Sequence, residues 1–191
     1  MALAELRHTT SIHPLLITPR GQLKDQAIDI PTLTTTRLAL APLTMAHSAG
    51  MYQLWSNPAV SRYSGEARDA EGNLIPMPAT SPHQTDLIID FWLIRQAQGS
   101  GFRWSIFEQA QFIGTVGFNR LGPTAEIAWH LLPARWGRGY MYEACSAAIN
   151  WHRKQSGARK LEAYIEPRNE PSVALAKRLG FTPTNSLFEG A

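Results

Sequence analysis

A chain of 191 residues is long enough for one domain with a proper core and too short for two comfortable ones. Its 44% hydrophobic and 17% charged residues, with six tryptophans, exclude a disordered chain. A net charge of +3 without a basic run favours anionic ligands but is too small to imply a nucleic-acid groove, and a single cysteine, Cys145, excludes an internal disulfide and a cysteine-based zinc site.

Residues 1–32 read as an N-terminal extension, a strand or two or an arm: they carry prolines and a turn at Pro19-Arg20-Gly21 without sustained periodicity. They lack a basic region followed by an apolar core, and nothing elsewhere approaches the roughly 18 apolar residues of a membrane span. A cytoplasmic chain with no membrane contact and no metal is expected. The domain proper is expected over residues 33–191.

It opens with a strand in "TTRLALAPL", then a helix "MAHSAGMYQLWS" capped by Thr44 and ended by Asn57-Pro58. Residues 64–81, rich in Gly, Pro and polar side chains, read as a long loop of the kind that covers a binding site. Ser81 and Pro82 supply the cap and first position of the next helix, "HQTDLIIDFWLIRQAQ". Three strands follow, "FRWSIFE", "QFIGTVGF" and "AEIAWHLL", the first two joined as a hairpin through Gln109-Ala110. A helix runs to about Ser156, stopped by Gly157. The strand "RKLEAYIE", the helix "NEPSVALAKRL" capped by Asn169 and stopped by Gly180, and the start of a last strand complete the chain. The order βααβββαβαβ makes this an α/β or α+β single domain with a mixed sheet.

The segment "ARWGRGYMYEA", residues 134–144, sets a glycine-bearing turn between a strand and a helix. Unpaired amides at a helix start point outward and the helix dipole favours negative charge, so such a turn suits an anion. Gly137 and Gly139 let the backbone approach closely, and Arg138 adds a positive charge. A triphosphate loop is excluded because its lysine motif is absent, and a dinucleotide fingerprint because Tyr142 stands at the third glycine position.

"AEIAWHLLPARWGRGYMYEA" followed by "NEPSVALAKRLGF" resembles the acetyl-CoA-binding core of the GNAT N-acetyltransferase superfamily, nearest the Rim-type branch that acetylates ribosomal-protein N-termini. The resemblance extends over about residues 33–189. It implies a GNAT-like domain whose central mixed, mostly antiparallel sheet is splayed at the acetyl-CoA site and flanked by helices. It implies that the diphosphate of coenzyme A sits on the amides of Trp136, Gly137, Arg138, Gly139, Tyr140 and Met141. The pantetheine arm would pair as an extra strand with Trp129, His130 and Leu131, which is main-chain recognition. Asn169 would help hold the same arm.

Two positions depart from the family pattern. Met141 ends the loop where Gly or Ala is common, so its side chain must turn away from the diphosphate. The tyrosine that protonates the departing thiolate in many members is Ala176 here, and Ser172 inherits that role by resemblance to the Rim branch.

Acetyl transfer from a thioester needs a deprotonated amine, an oxyanion donor and a proton for sulfur. Glu126 is the candidate base, with a solvated or salt-bridged strand-end carboxylate as the equal alternative. Alternation places Glu126, Ala128 and His130 on one face and Ile127, Trp129 and Leu131 on the other, unless a bulge shifts the phase. His130 has a suitable ordinary pKa, yet a structural histidine is the simpler reading. Ser172 could merely bond to the first turn of its helix. Glu143 reads as a carboxylate favoured by the dipole, and Cys145 as a packing residue. The expected activity is direct acetyl transfer from acetyl-CoA to a primary amine, of a peptide N-terminus or a small molecule; a GNAT-fold module that binds acyl-CoA without catalysis is the alternative. The sheet beyond Ala191 is left for residues 1–32 or a second subunit to complete, so a homodimer stays open.

Overall fold

A computed structural model of the chain describes residues 28–156, 160–184 and 187–190. The extension expected over residues 1–32 therefore lies outside the described residues as far as residue 27, as does the helix stop expected at Gly157.

β1 (Leu33–Thr34) and β2 (Leu38–Pro42) form a tight hairpin, and a 3-10 turn at Met45–His47 leads into α1 (Ser48–Trp55). The sequence predicts a single helix from the turn to Asn57-Pro58. Instead, the Asn57 side chain accepts from the Ala59 amide and Pro58 opens a further short helix, α2 (Pro58–Ser61), as proline does at a first helical position. The expected long loop contains a small hairpin of its own, β3 (Ala67–Arg68) and β4 (Leu74–Ile75), closed by Asp69, whose carboxylate accepts from the amides of Glu71 and Asn73. α3 (Pro82–Ala97) starts at Ser81 as expected, with Gln84 Oε1 accepting from the Ser81 amide at 3.2 Å.

The sheet strands β5 (Phe102–Glu108), β6 (Gln111–Arg120) and β7 (Thr124–Leu131) follow, then α4 (Tyr140–Ser156), β8 (Lys160–Tyr164), α5 (Glu170–Arg178), β9 (Thr182–Thr184) and β10 (Leu187–Gly190). Gln109 and Ala110 both have positive φ, 46° and 67°, which is the twist a two-residue hairpin turn requires. The eight-stranded order is β1-β2-β5-β6-β7-β8-β10-β9, antiparallel except at β7–β8. The last strand is thus two: β10 pairs with β8 and β9 folds back on β10, so the chain's own end covers the β8 edge.

The pleat sorts side chains to two faces. On one, Phe102, Trp104, Ile106, Val116, Phe118 and Ile127 pack against α4 and α5. A second cluster joins α1, α3 and the β3–β4 hairpin through Met51, Leu54, Trp55, Ile75, Ile88 and Ile89 on the other side. The sheet positions facing it are unusually polar: Arg103, Ser105 and Thr115 are buried there.

Candidate active site

Among the described residues β7 and β8 pair at only three positions, Thr124–Lys160, Ala125–Leu161 and Glu126–Glu162, although both strands continue. From Ile127 onward β7 is hydrogen-bonded only to β6, and its other edge faces a notch. Trp129, His130 and Leu131 lie along this open edge.

At the mouth of the notch, a 3-10 turn at Pro133–Arg135 delivers the chain to the glycine segment. Gly137 and Gly139 adopt φ of 71° and 77°, a region that side-chain-bearing residues rarely enter. Gly139 O accepts from the Glu143 amide at 3.1 Å, so the first helical turn carries its unpaired amides outward just past the second glycine. Tyr140 and Met141 are each 7% exposed and belong to the core. Methionine at the loop's end is therefore compatible with an anion: its side chain points inward and only its amide faces out. Trp136 is half-exposed and its indole donates to the Leu131 carbonyl at 2.7 Å, tying the loop to the end of the open strand.

Two carboxylates brace this loop. Glu143 accepts from Thr35 Oγ1 at 2.6 Å, from the Arg37 amide at 2.9 Å and from Arg37 Nε at 2.7 Å, and Arg37 Nη1 donates to the Arg138 carbonyl at 3.0 Å. Arg37 also lies over the Tyr140 ring, 4.3 Å from its centroid. Desolvation opposes ionisation of Glu143, but the Thr35 and Arg37 donors outweigh it and hold the carboxyl below its ordinary value. Glu108 accepts from the Tyr140 hydroxyl and from Arg135 Nε at 2.7 Å. The hydrogen bond from Tyr140 is the main reason the Glu108 carboxyl titrates below its usual range, and the same bond raises the Tyr140 phenol. Reading the sequence missed Arg37, Thr35 and Glu108, because their partners lie 27 to 108 positions away. It likewise gave Glu143 only a dipole role, whereas it is the hub of the brace.

The sheet alternation holds as expected. Trp129 packs with the α4–α5 core, and its indole donates to Ser172 Oγ at 3.4 Å. Ser172 in turn donates its amide to the Asn169 side chain at 3.4 Å, so Asn169 caps α5 and the two predicted residues stand together at its start. Glu126, at the closed end of the notch, faces the other side. A bulge in β6 sets Asn119 and Arg120 against Glu126 alone, and Asn119 bridges the Glu126 carboxylate to the Arg103 guanidinium. Arg103 is buried, stacked 3.7 Å from the Trp92 centroid, and desolvation pulls its pKa down to about 9 against the opposing pull of Glu126. Glu126 is therefore neither simply solvated nor isolated.

His130 packs against Trp55, with ring centroids 4.5 Å apart, and its Nδ1 is buried without a hydrogen-bond partner. Desolvation, helped by Arg103, pushes it down to about 3, so it is neutral near pH 7 and a poor proton acceptor. That agrees with a structural histidine whose contribution to the notch is its backbone. Burial pushes the Cys145 thiol up, which suits a packing residue and no nucleophile. Among the described residues no cluster of His, Cys, Asp or Glu has the form of a metal site, and no helix is long and apolar enough to cross a membrane.

A mostly antiparallel sheet opened beside a glycine-bearing helix start is an architecture this chain shares with solved acetyltransferases. The chain belongs to the GNAT acetyltransferase family, whose domain model, "Acetyltransferase (GNAT) domain", matches residues 37–182. It is 29% identical over 153 residues to the "Uncharacterized N-acetyltransferase p20" of Bacillus licheniformis, covering 78% of this chain and 82% of that one. Over 90 residues it is 31% identical to the [Ribosomal protein uS5]-alanine N-acetyltransferase of Escherichia coli strain K12, 44% of this chain and 46% of the other. The fold is shared with a ribosomal L7/L12 alpha-N-protein acetyltransferase solved in complex with coenzyme A, at a TM-score of 0.71 and 20% identity over 84% of this chain and 97% of that one.

Proposed function

We propose that the protein transfers the acetyl group of acetyl-CoA to a primary amine, of a peptide N-terminus or a small molecule, by direct attack within a ternary complex. The observation that carries this reading is the notch between β7 and β8 opening next to the braced amides of residues 137–141. A diphosphate on those amides sends the attached arm along the free edge of Leu131, His130 and Trp129. From Leu131 to Glu126 the strand spans about 17 Å, so the thioester end arrives near the closed end of the notch.

There Glu126 serves as base, directly or through a water, with Asn119 and Arg103 fixing its carboxylate. Ser172 passes its proton to the leaving sulfur and takes one back from solvent. Its oxygen accepts from the Trp129 indole, which leaves the hydroxyl proton to be given away, and the start of α5 favours the negative charge that develops. Asn169 spends its carbonyl on the cap and keeps its amide for the pantetheine.

Calorimetric titration with acetyl-CoA should give one site per chain, and thiol release should depend on an added amine. Ser172→Ala is expected to lower kcat about 100-fold with acetyl-CoA affinity unchanged within about twofold. Binding with no turnover across a broad panel of peptide and small amines would leave the chain a binding module.

A further inference from the structure

Two residues at the loop end of β7 turn main-chain groups toward the notch. The Leu132 amide donates to the Ile113 carbonyl at 2.8 Å, so at Leu132 the backbone faces β6. Successive residues of an antiparallel ladder alternate in this respect, and Leu131 and then Trp129 direct an N–H and a carbonyl to the other side. Counting from the glycine segment, these are the first two places where an arm could pair, and they lie about 7 Å apart.

The nearer place is already occupied. Trp136 donates its indole N–H to the Leu131 carbonyl at 2.7 Å, a short and well-made bond. The preceding 3-10 turn fixes the backbone that carries the indole, with the Trp136 amide on the Pro133 carbonyl at 3.1 Å and the Arg135 amide on that of Leu132 at 2.9 Å. The ring therefore stands in the direction from which an arm would approach Leu131, and it is held there although the residue is 48% exposed. Among the described residues no strand pairs with Trp129 on the notch side, so its carbonyl is the first one open.

Main-chain pairing accepts almost any strand, so by itself it leaves the register of a flexible arm undecided. We infer that the Trp136 side chain is a positioning residue for the arm of coenzyme A: its indole withholds the Leu131 carbonyl, and the first amide N–H of the arm passes to the Trp129 carbonyl instead. This rests on the acetyl-CoA reading above and adds to it what sets the depth of the thioester. An arm caught at Leu131 would leave its reacting end about 7 Å short of the place it reaches from Trp129, away from Glu126 and Ser172.

Trp136→Phe keeps an aromatic ring and removes the donor. In calorimetric titrations of the full chain, the variant should bind coenzyme A about fivefold more tightly than wild type, because the arm gains the freed carbonyl. Adenosine 3′,5′-bisphosphate, which lacks the arm, should bind both proteins equally within about twofold. A merely structural role has the opposite sign, since a loosened loop weakens both ligands. The second measurement follows the Trp136 indole N–H resonance in an isotope-labelled chain, identified by its loss in the variant; it should stay protected from solvent exchange when coenzyme A is added. Equal or weaker coenzyme A binding by the variant, a parallel change for both ligands, or exchange of that N–H in the wild-type complex overturns the inference and leaves the acetyl-CoA reading standing. No coenzyme A binding by the folded wild type overturns both.

Discussion

Arg37 and Glu143 show how much of a loop's shape is decided by residues outside it. The backbone of residues 137–139 has left-handed glycines at both ends, and what holds it in one conformation is the pair of ion-linked side chains reaching from the β1–β2 turn and from α4. Arg37→Ala is expected to leave the chain folded, because the pair is partly exposed, while weakening acetyl-CoA binding about fivefold by loosening the Arg138 carbonyl; a calorimetric isotherm checks it. The second brace is pH-sensitive with a definite sign. Glu108 titrates lower in the fold than unfolded, so its contribution is present above the ordinary carboxylate value and is lost as pH falls through the lowered one. Glu108→Gln should accordingly lower the Tm at pH 7, and the gap to wild type should close on acidification below about pH 4. Equal gaps at both pH values would remove Glu108 from the loop's support.

At the scale of elements, β6 is the strand on which the site is registered. A Cβ added at Gly114 would lie 2.2 Å from the His130 carbonyl oxygen, and one at Gly117 2.2 Å from that of Phe102. Both contacts are to neighbouring backbone, which cannot rotate aside. Gly117→Ala should therefore cost about 3 kcal/mol in denaturant unfolding, the upper part of the range for overpacking. The helices and the long strands were legible in the sequence because their signals are local: Ser81-Pro82 starts α3, Gln109-Ala110 turns the hairpin, Asn169 caps α5. The glycine loop was legible for the same reason. The β3–β4 hairpin was not, since two-residue strands carry no periodicity, and neither was the split of the last strand into β9 and β10. The polar network around Glu126 escaped for a different reason. It depends on a bulge that moves Asn119 across the strand, and a bulge is a property of the pairing, which no single strand's sequence carries.

For the molecule as a whole, the two packed faces of the sheet divide the labour. The α4–α5 side supplies the loop, the Trp129–Ser172 contact and the large apolar core; the α1–α3 side supplies the polar strip with Glu126 and the second, smaller apolar cluster. Among the described residues the two portions of the sheet, β1 through β7 on one hand and β8 with β10 and β9 on the other, share only the three paired positions at the closed end of the notch. Such a seam is a natural line of partial opening, because few ladder bonds have to break for the C-terminal strands to come away together. In native-state hydrogen exchange the amides of β8 and β10 should exchange as one cooperative unit at a lower free energy than those of β5 and β6. If acetyl-CoA binds along the free edge of β7 as proposed, it would raise that unit toward the global value. The cofactor would then be a stitch in the sheet as well as a donor to the reaction, and the enzyme would be at its most rigid only while charged.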